Sequence, residues 1–336
     1  MLLGTDRLEI VEQQKNKALD VAVGVIMRGT QVLISWRHAS QHQGNRYEFP
    51  GGKVDAGETP QQGLVRELQE ELGIKVQQAI RAQQLEFAYP EKTVRLHIFK
   101  VTDFTGEPAG QEGQPVRWVE ASELHTYQFP DANAPILRMV LLPEQYVICR
   151  EQGLIETAAD WLGFHVQAVP QGAWLYLRRP DLSSDQYLDV VVQLAQQRPD
   201  IQLLVMDRHA ALVNDRGLPV CGVHLSQQDL RQADDLQDYP PAWFKFAACH
   251  DVASLQKANT LQLDAVVLSP LRQTATHQHA TVLGWNGWQA LCLRSHVPVY
   301  ALGGVQPEEL VQVQQHGGFG VAGIRAFMQL IPDSSA

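Results

Sequence analysis

The chain has 336 residues, of which 45% are hydrophobic and 19% charged, a composition typical of a globular protein with about two domains. Its net charge of −10 argues against a protein that binds duplex nucleic acid, because such proteins need a basic surface to displace counterions. The four cysteines form no C-x-x-C pair, no apolar run reaches membrane-spanning length, and the stretch MLLGTDRLEIVEQQKNK lacks the apolar core of a signal peptide. We therefore expect a cytoplasmic protein with reduced thiols that binds neither nucleic acid nor a membrane.

The N-terminal half mixes strand and helix patterns. The stretch DVAVGVIMRGTQVLISWRH contains two β-rich runs around an Arg-Gly-Thr turn, which predicts a hairpin. After a helical segment, LHIFKVTDF predicts a strand, and PVRWVEASEL predicts a strand that leads into a helix. This mixed α and β pattern continues to about Leu142.

From Gln145 onward, short apolar strands alternate with helical stretches. We predict strands at 145–149, 174–178, 202–206, 220–225, 244–249, 265–268, 297–302 and 320–324. Eight strands with helices between most of them predict a (β/α)8 barrel. Pro143 breaks the preceding helix, so we place an α/β domain over residues 17–142 and the barrel over residues 144–332.

A helix is predicted from Pro60 to about Leu72. Thr59 is a good N-cap, Gln62 completes a capping box, and Gly73 suits the position after the last turn. At 100° per residue, one face is apolar and should pack on a sheet. That face contains Leu64, Val65, Leu68 and Leu72.

A second face of this helix carries three glutamates, Glu67, Glu70 and Glu71. Like charges at helical spacing repel one another, so we expect something to offset the repulsion. Clustered carboxylates suit Mg²⁺ or Mn²⁺, which commonly join protein acids to substrate phosphates. The alternative interpretation is a solvated acidic face, which is common on protein surfaces.

The segment from Gly52 to Ile74 resembles the Nudix box, G-x5-E-x7-R-E-U-x-E-E-x-G-U with U apolar, at every specified position. The resemblance implies an α/β/α sandwich with a mixed sheet. It also implies hydrolysis of a nucleoside diphosphate linked to another group, with Mg²⁺ or Mn²⁺ neutralising charge on the phosphate oxygens.

The Nudix resemblance also assigns roles to individual residues. The carbonyl of Gly51 and the side chains of Glu70 and Glu71 would hold metal, and Glu67 would be a further ligand or the general base. The catalytic set would be Glu58, Arg66, Glu67 and Glu70, in which Arg66 and Glu58 brace the loop and the helix. Which glutamate accepts the proton from water stays open.

Three further segments, YEFPGGKVDAGETP, GEPAGQEGQPVRWV and FPDANAPIL, resemble the MutT-type 8-oxo-dGTP diphosphatases. The resemblance implies that Asn133 reads the oxidised purine, because an amide can both donate to and accept from a base edge. It implies that Phe49 walls the base, that Arg37 contacts the nucleotide, and that Glu112 joins the metal site. Lys92 stands where the family has an Arg near the base or sugar; it keeps the charge but loses the planar fork.

Each of the substrate-side residues also has a structural interpretation. Asn133 could cap a helix that begins at Ala134, and Phe49 could be a core residue. Arg37, taken alone, is typical of a solvated strand end.

The C-terminal half resembles thiamine-phosphate synthase and its TenI relatives. The matching segments are LYLRRPDLS, LLVMDR, GVHLSQQDL, AACHD, LSPLRQTATH, VYALGGV and GVAGIRAF, in family order. The resemblance implies that Asp207 and Asp229 are Mg²⁺-binding acids. A backbone phosphate cradle is expected at Gly303, Gly304 and Gly323.

The barrel also departs from the synthase pattern. Tyr176 and Pro180 stand where the synthase has Gln and Lys, Met206 replaces an Asn, and Ala248 replaces a Ser. Lost donors weaken pyrophosphate binding, so a tautomerase-like activity, another phosphorylated ligand and a regulatory role stay open. His250, at a strand end, is either an acid–base group or a structural histidine.

The leading functional prediction is a Mg²⁺-dependent enzyme that converts the nucleoside triphosphate 8-oxo-dGTP to 8-oxo-dGMP and pyrophosphate. The first alternative is a Nudix hydrolase of another nucleotide or of a thiamine-related pyrophosphate. The second is a regulatory protein whose barrel senses a phosphorylated small molecule; it predicts a broken acid set, whereas Glu67, Glu70, Glu71 and Glu112 are all present. The sequence makes no prediction of the oligomeric state.

Overall fold

The structure is a computed structural model that describes residues 18–39, 43–88, 93–273 and 281–328. The chain divides into two compact units between Leu142 and Pro143. Among the described residues, no helix has both the length and the apolar character needed to cross a membrane. The four cysteines are free thiols, and three of them are buried.

The N-terminal unit contains seven strands in the part of it that the structure describes. They are β1 (Leu19–Arg28), β2 (Gln31–Arg37), β3 (Arg46–Glu48), β4 (Gly51–Lys53), β5 (Lys75–Ala88), β6 (Thr93–Thr105) and β7 (Val116–Glu120). Their order is β3-β2-β1-β6-β5, with β4 paired to β1 and β7 paired to β2. Strands β1 and β6 run parallel and the other pairs are antiparallel, which confirms the predicted mixed sheet.

In the described part of this unit, two α-helices accompany the sheet, α1 (Pro60–Leu72) and α2 (Ala134–Val140), together with 3₁₀ turns at Ala121–Thr126 and Asp131–Asn133. Thus the helix start predicted after β7 is a 3₁₀ turn. Helix α1 has the predicted ends: Thr59 and Gln62 form a capping box, and Gly73 caps the last turn at φ 71°.

Helix α1 packs on β1 through an apolar face that is narrower than predicted. Leu64, Leu68 and Leu72 are completely buried in a core with Ala22 and Ile26 of β1, among others. The inclusion of Val65 in this face was wrong, since Val65 is 38% exposed. Val65 lies about 100° around the helix from Leu64, at the edge of the apolar stripe.

The C-terminal unit is a closed barrel of eight parallel strands, which confirms the predicted (β/α)8 architecture. The strands are β8 (Gln145–Ile148), β9 (Trp174–Tyr176), β10 (Gln202–Met206), β11 (Gly222–Leu225), β12 (Phe244–Cys249), β13 (Ala265–Leu268), β14 (Val299–Ala301) and β15 (Gly320–Gly323). Several are shorter than predicted by one or two residues at an end, as is usual for element boundaries.

A helix lies between each pair of consecutive barrel strands. In chain order these are α3 (Ala158–Ala168), α4 (Ser184–Gln197), α5 (Asp207–Asp215), α6 (Gln227–Gln232), α7 (Val252–Leu261), α8 (Gly284–Cys292) and α9 (Leu310–Gln315). The carboxyl ends of the strands therefore meet at one mouth, where the site of a (β/α)8 barrel is usually found.

Candidate functional site

Arg66 joins the acidic face of α1 to the loop before it. Its guanidinium donates two hydrogen bonds of 3.0 Å to the carboxylate of Glu58 and one of 2.9 Å to the carbonyl of Lys53. It also donates to Glu67 at 2.8 Å and to Glu70 at 3.2 Å. The hydrogen bonds to Glu58 raise the pKa of Arg66 and lower the pKa of Glu58, so both groups are charged at neutral pH. The predicted brace between loop and helix is therefore present in the geometry.

Glu71 lies at the centre of the acidic cluster. One carboxylate oxygen accepts a hydrogen bond of 3.1 Å from the backbone N–H of Gly51. The pKa of Glu71 is raised to about 7, chiefly by burial and, against this hydrogen bond, also by the nearby charges of Glu48, Glu67 and Glu112. Negative charge from four carboxyl groups is therefore concentrated around Glu71, and protons or cations are needed there to balance it.

Two glycines allow β4 to lie close to the acids. Gly51 has φ 143°, and a Cβ there would lie 2.1 Å from the carbonyl oxygen of Ala22. A Cβ on Gly52 would lie 2.3 Å from the carboxyl carbon of Glu67. Any side chain at Gly52 would therefore displace Glu67, which explains in physical terms why the first position of the box is glycine.

Glu112 comes to the cluster from a loop between β6 and β7. Its side chain is exposed, and its charge is one of those that raise the pKa of Glu71. The structure thus places Gly51, Glu67 and Glu112 around Glu71. Glu70 lies at the edge of the set, with 59% of its side chain exposed.

The donor set fits a divalent cation of the Mg²⁺ type, because every candidate ligand is a carboxylate or carbonyl oxygen. Within the described ranges, however, no three acidic, histidine or cysteine side chains converge closely enough to hold an ion as they stand. Arg66 holds one carboxylate oxygen of Glu67 and one of Glu70 as hydrogen-bond acceptors. Ligation by those two carboxylates requires that Arg66 share or release them.

The residues predicted to contact the nucleotide differ from one another in their surroundings. Phe49 is 4% exposed and stacks on Phe129 with ring centroids 5.5 Å apart, so it is a core residue as well as a candidate wall. Asn133 lies next to α2 but makes no side-chain capping hydrogen bond, which removes the capping interpretation. Lys92 lies outside the described residues.

Arg37 forms an ion pair with Glu48, which sequence reasoning missed. Burial raises the pKa of Glu48, although Arg37 lowers it. Glu48 lies between the predicted nucleotide-binding arginine and the acidic cluster, since its charge also acts on Glu71. The only sequence signal was its position directly before Phe49, outside the Nudix box.

In the barrel, both predicted acids already have structural partners. The hydroxyl of Tyr239 donates a hydrogen bond to Asp207 at the start of α5. Asp229 forms the capping box of α6 with Ser226, where the Ser226 N–H donates to its carboxylate at 2.8 Å. The sequence did not indicate the Tyr239 contact, because the two residues lie far apart along the chain.

His250 and the three glycines lie at the mouth, where the sequence placed them. Nδ1 of His250 lies 2.7 Å from the carbonyl oxygen of Ser269, the geometry of a structural hydrogen bond. Gly303 and Gly304 have φ values of 105° and 70°, which favour glycine. A Cβ on Gly323 would lie 2.2 Å from the ring of Phe327, so packing against this ring explains the glycine.

The barrel interior contains an aromatic stack that sequence reasoning did not anticipate. The ring of Tyr176 lies 4.1 Å from that of His224 at an angle of 9°, and Tyr146 shares a hydrogen bond of 3.0 Å with Nδ1 of His224. Burial lowers the pKa of His224 to about 3, so this imidazole is neutral at physiological pH. Tyr176 is buried in this stack at the position where the synthase pattern has a Gln.

Two family models match the chain, one for each unit. Residues 18–140 match the model described as NUDIX domain, and residues 145–327 match the model described as thiamine monophosphate synthase. The second match covers more than half of the chain.

Characterised relatives match the N-terminal unit over nearly their whole length. An 8-oxo-dGTP diphosphatase of Escherichia coli is 43% identical over 36% of this chain and 95% of its own length. One from Haemophilus influenzae is 43% identical over 37% of this chain and 93% of its own. A CTP pyrophosphohydrolase of Escherichia coli is 35% identical over 36% of this chain and 90% of its own.

Proposed function

Because the chain belongs to the Nudix hydrolases through its N-terminal unit and to the thiamine monophosphate synthase family through its barrel, we propose that it hydrolyses 8-oxo-dGTP to 8-oxo-dGMP and pyrophosphate with Mg²⁺. The observation that carries the proposal is the concentration of negative charge at Glu71, which the N–H of Gly51 holds beside β4 and on which the charges of Glu48, Glu67 and Glu112 all act. A phosphate-cleaving site needs concentrated negative charge of this kind to hold its cations.

The carbonyl of Gly51 and the carboxylates of Glu67, Glu70, Glu71 and Glu112 would hold the metal. When bound, Mg²⁺ or Mn²⁺ would neutralise charge on the phosphate oxygens and favour ionisation of the attacking water. Glu71 is already held towards this place by the N–H of Gly51, which keeps its carboxylate beside β4.

The remaining residues position the reaction. Arg66 fixes the loop that carries Glu58 to the helix that carries Glu67, so the acids move as one body. Either Glu67 or Glu70 can accept the proton of the attacking water, since each has a carboxylate oxygen at the edge of the cluster. Glu67 is the more enclosed, with 17% of its side chain exposed against 59% for Glu70.

Recognition of the oxidised base is assigned to Asn133. Its amide is not used to cap α2, so it is available to donate to one base atom and accept from another. Phe49, stacked on Phe129 in the segment between β3 and β4, would supply an apolar surface for the base, and Arg37 would supply positive charge for the nucleotide.

The deciding experiment is Mg²⁺-dependent hydrolysis of 8-oxo-dGTP beside dGTP, dATP, CTP and thiamine diphosphate, with identification of the released phosphate. We expect a strong preference for 8-oxo-dGTP, release of pyrophosphate, and loss of both in the Glu70→Gln variant. Preference for CTP would instead indicate the activity for which the CTP pyrophosphohydrolase of Escherichia coli is named. Equal turnover of dGTP and 8-oxo-dGTP would refute the role of Asn133.

For the barrel we infer that it binds a phosphorylated small molecule and does not catalyse the synthase reaction. Asp207 and Asp229 are engaged by Tyr239 and Ser226, and Tyr176 is buried in the stack on His224. We expect no thiamine monophosphate to form when the full chain is given the synthase's substrates. Product formation at a rate that depends on Asp207 would overturn this inference.

A further inference from the structure

The loop that carries Glu112 is bonded to the last turn of α1. The backbone N–H of Ala109 donates to the carbonyl of Leu72 at 3.1 Å, and that of Gln111 donates to the carbonyl of Glu71 at 2.9 Å. The last carbonyls of a helix have no partner within the helix, so a neighbouring loop can take them as acceptors. The loop is therefore held at the acidic end of the site.

Within this loop, the side chain of Gln114 makes two hydrogen bonds that the proposed function does not use. Its Nε2 donates to the carbonyl of Glu71 at 3.2 Å, and its Oε1 accepts from the N–H of Glu112 at 3.0 Å. Only one orientation of the amide satisfies both partners, since a carbonyl must be met by NH₂ and an N–H by oxygen. One amide thus fixes two acid-bearing residues relative to each other.

Packing around Gln114 leaves this arrangement little freedom. A Cβ on Gly110 would lie 1.8 Å from the backbone oxygen of Gln114 and 2.9 Å from its Oε1. The turn therefore closes tightly over the amide, while the Glu112 side chain stays exposed. Because Glu112 lies on an exposed turn, its position depends on the hydrogen bonds that join this loop to helix α1.

We propose that Gln114 is a positioning residue that holds Glu112 beside Glu71 so that both carboxylates bind the same divalent cation. The inference rests on the proposed function, because it takes those two acids as ligands. It adds a residue outside the Nudix box to the set on which metal affinity depends. Partners behind metal ligands typically change metal affinity by about 10–100-fold when they are removed.

The test is Mn²⁺ binding to the full chain without nucleotide, measured by electron paramagnetic resonance. Gln114→Met keeps the length of the side chain and removes both hydrogen bonds. The matched control is Gln111→Met, because the hydrogen bond of the Gln111 side chain within the described residues goes to the carbonyl of Ala109 and to neither acid. We expect Mn²⁺ affinity to fall by about tenfold or more in Gln114→Met and to stay at the wild-type value in Gln111→Met.

A double-mutant cycle separates positioning from general weakening of the loop. If Gln114 acts through Glu112, then Gln114→Met should have no further effect on Mn²⁺ affinity in a Glu112→Gln background. Raising Mn²⁺ should restore most of the kcat of Gln114→Met, whereas a misfolded site would not recover. Additive effects of the two substitutions, or equal losses in both Met variants, would overturn the proposal.

The same data distinguish this inference from the proposed function. If Glu112→Gln leaves Mn²⁺ affinity unchanged, the metal assignment itself fails. If Glu112→Gln weakens Mn²⁺ binding but Gln114→Met does not, the metal assignment stands and only the role of Gln114 is wrong.

Discussion

The two units of the chain use their acidic residues in opposite ways. In the N-terminal unit, burial and neighbouring carboxylates raise the pKa of Glu71 to about 7. In the barrel, hydrogen bonds from Arg150 lower the pKa of Glu156 to about 2, and the N–H of Gly153 adds to this. A pKa raised by neighbouring carboxylates indicates an excess of negative charge that a proton or a cation can balance, whereas these hydrogen bonds show that the partner of Glu156 is already in the fold.

This difference extends to the residues that family resemblance assigns to metal binding. Glu71, Glu67 and Glu112 lie together with more negative charge than Arg66 neutralises. Asp207 and Asp229, in contrast, accept hydrogen bonds from Tyr239 and Ser226. Although the chain belongs to two enzyme families, the surroundings of these acids support enzymatic activity in the N-terminal unit more strongly than in the barrel.

The largest effect should follow from substitution within the acidic cluster. Glu67→Gln removes a candidate ligand or base that lies against Gly52, and we expect kcat for 8-oxo-dGTP to fall by about 10²–10⁴-fold. Steady-state kinetics at saturating Mg²⁺ measure the change. The matched control is Glu123→Gln, an exposed glutamate of the 3₁₀ turn Ala121–Thr126, which should keep the wild-type rate. A fully active Glu67→Gln enzyme would place the chemistry elsewhere.

Much of this site could be predicted because the Nudix box is local in sequence. The capping box, the acidic face and the Gly52 contact all lie between residues 51 and 73, where helical periodicity determines which side chains meet. Val65 was misplaced because periodicity gives a direction on the helix but not the width of the buried face.

The missed contacts are those that depend on tertiary structure. Glu48 acts on Glu71 across 23 positions, and Tyr146 meets His224 across 78. Tyr239 reaches Asp207 across 32 positions, and Asp207, which was predicted to bind metal, accepts its hydrogen bond. No local spacing encodes these pairs, so one sequence read alone could not reveal them.

A second prediction tests whether the barrel mouth is built for packing. In Gly323→Ala, the new Cβ would overlap the Phe327 ring, and we expect the free energy of unfolding of the barrel to fall by about 1–3 kcal/mol. Urea denaturation followed by tryptophan fluorescence measures it. Gly163→Ala, in the interior of α3 with open space around it, should instead stabilise by about 0.5–1 kcal/mol. If Gly323→Ala were neutral, space for a ligand would exist beside β15.

A third prediction concerns pH and metal binding in the N-terminal unit. Glu71 must lose its proton to bind a cation, and its pKa in the metal-free protein is about 7. Mn²⁺ affinity should therefore fall by about tenfold per pH unit below pH 7 and level off above it, with proton release on binding. Calorimetry in buffers of different ionisation enthalpy measures both quantities.

Glu48 provides the control for this pH dependence. Glu48→Gln removes one of the negative charges that raise the pKa of Glu71, so the midpoint of the affinity curve should move to lower pH. An unchanged midpoint would mean that the charge of Glu48 does not act on Glu71.

The smallest effect is expected at Glu156 of the barrel. Because its pKa is lowered from its ordinary value of 4.5 to about 2 in the folded state, its ion pair with Arg150 stabilises the barrel above pH 4.5, and this contribution disappears as pH falls towards 2. Glu156→Gln should therefore be less stable than wild type at pH 6, and the two should converge near pH 2 in urea denaturation. Glu151→Gln, with a carboxylate 79% exposed and 3.7 Å from Arg178, should follow the wild-type curve. If both variants follow that curve, the Arg150 pair does not stabilise the fold, and the contrast with Glu71 rests on the N-terminal unit alone.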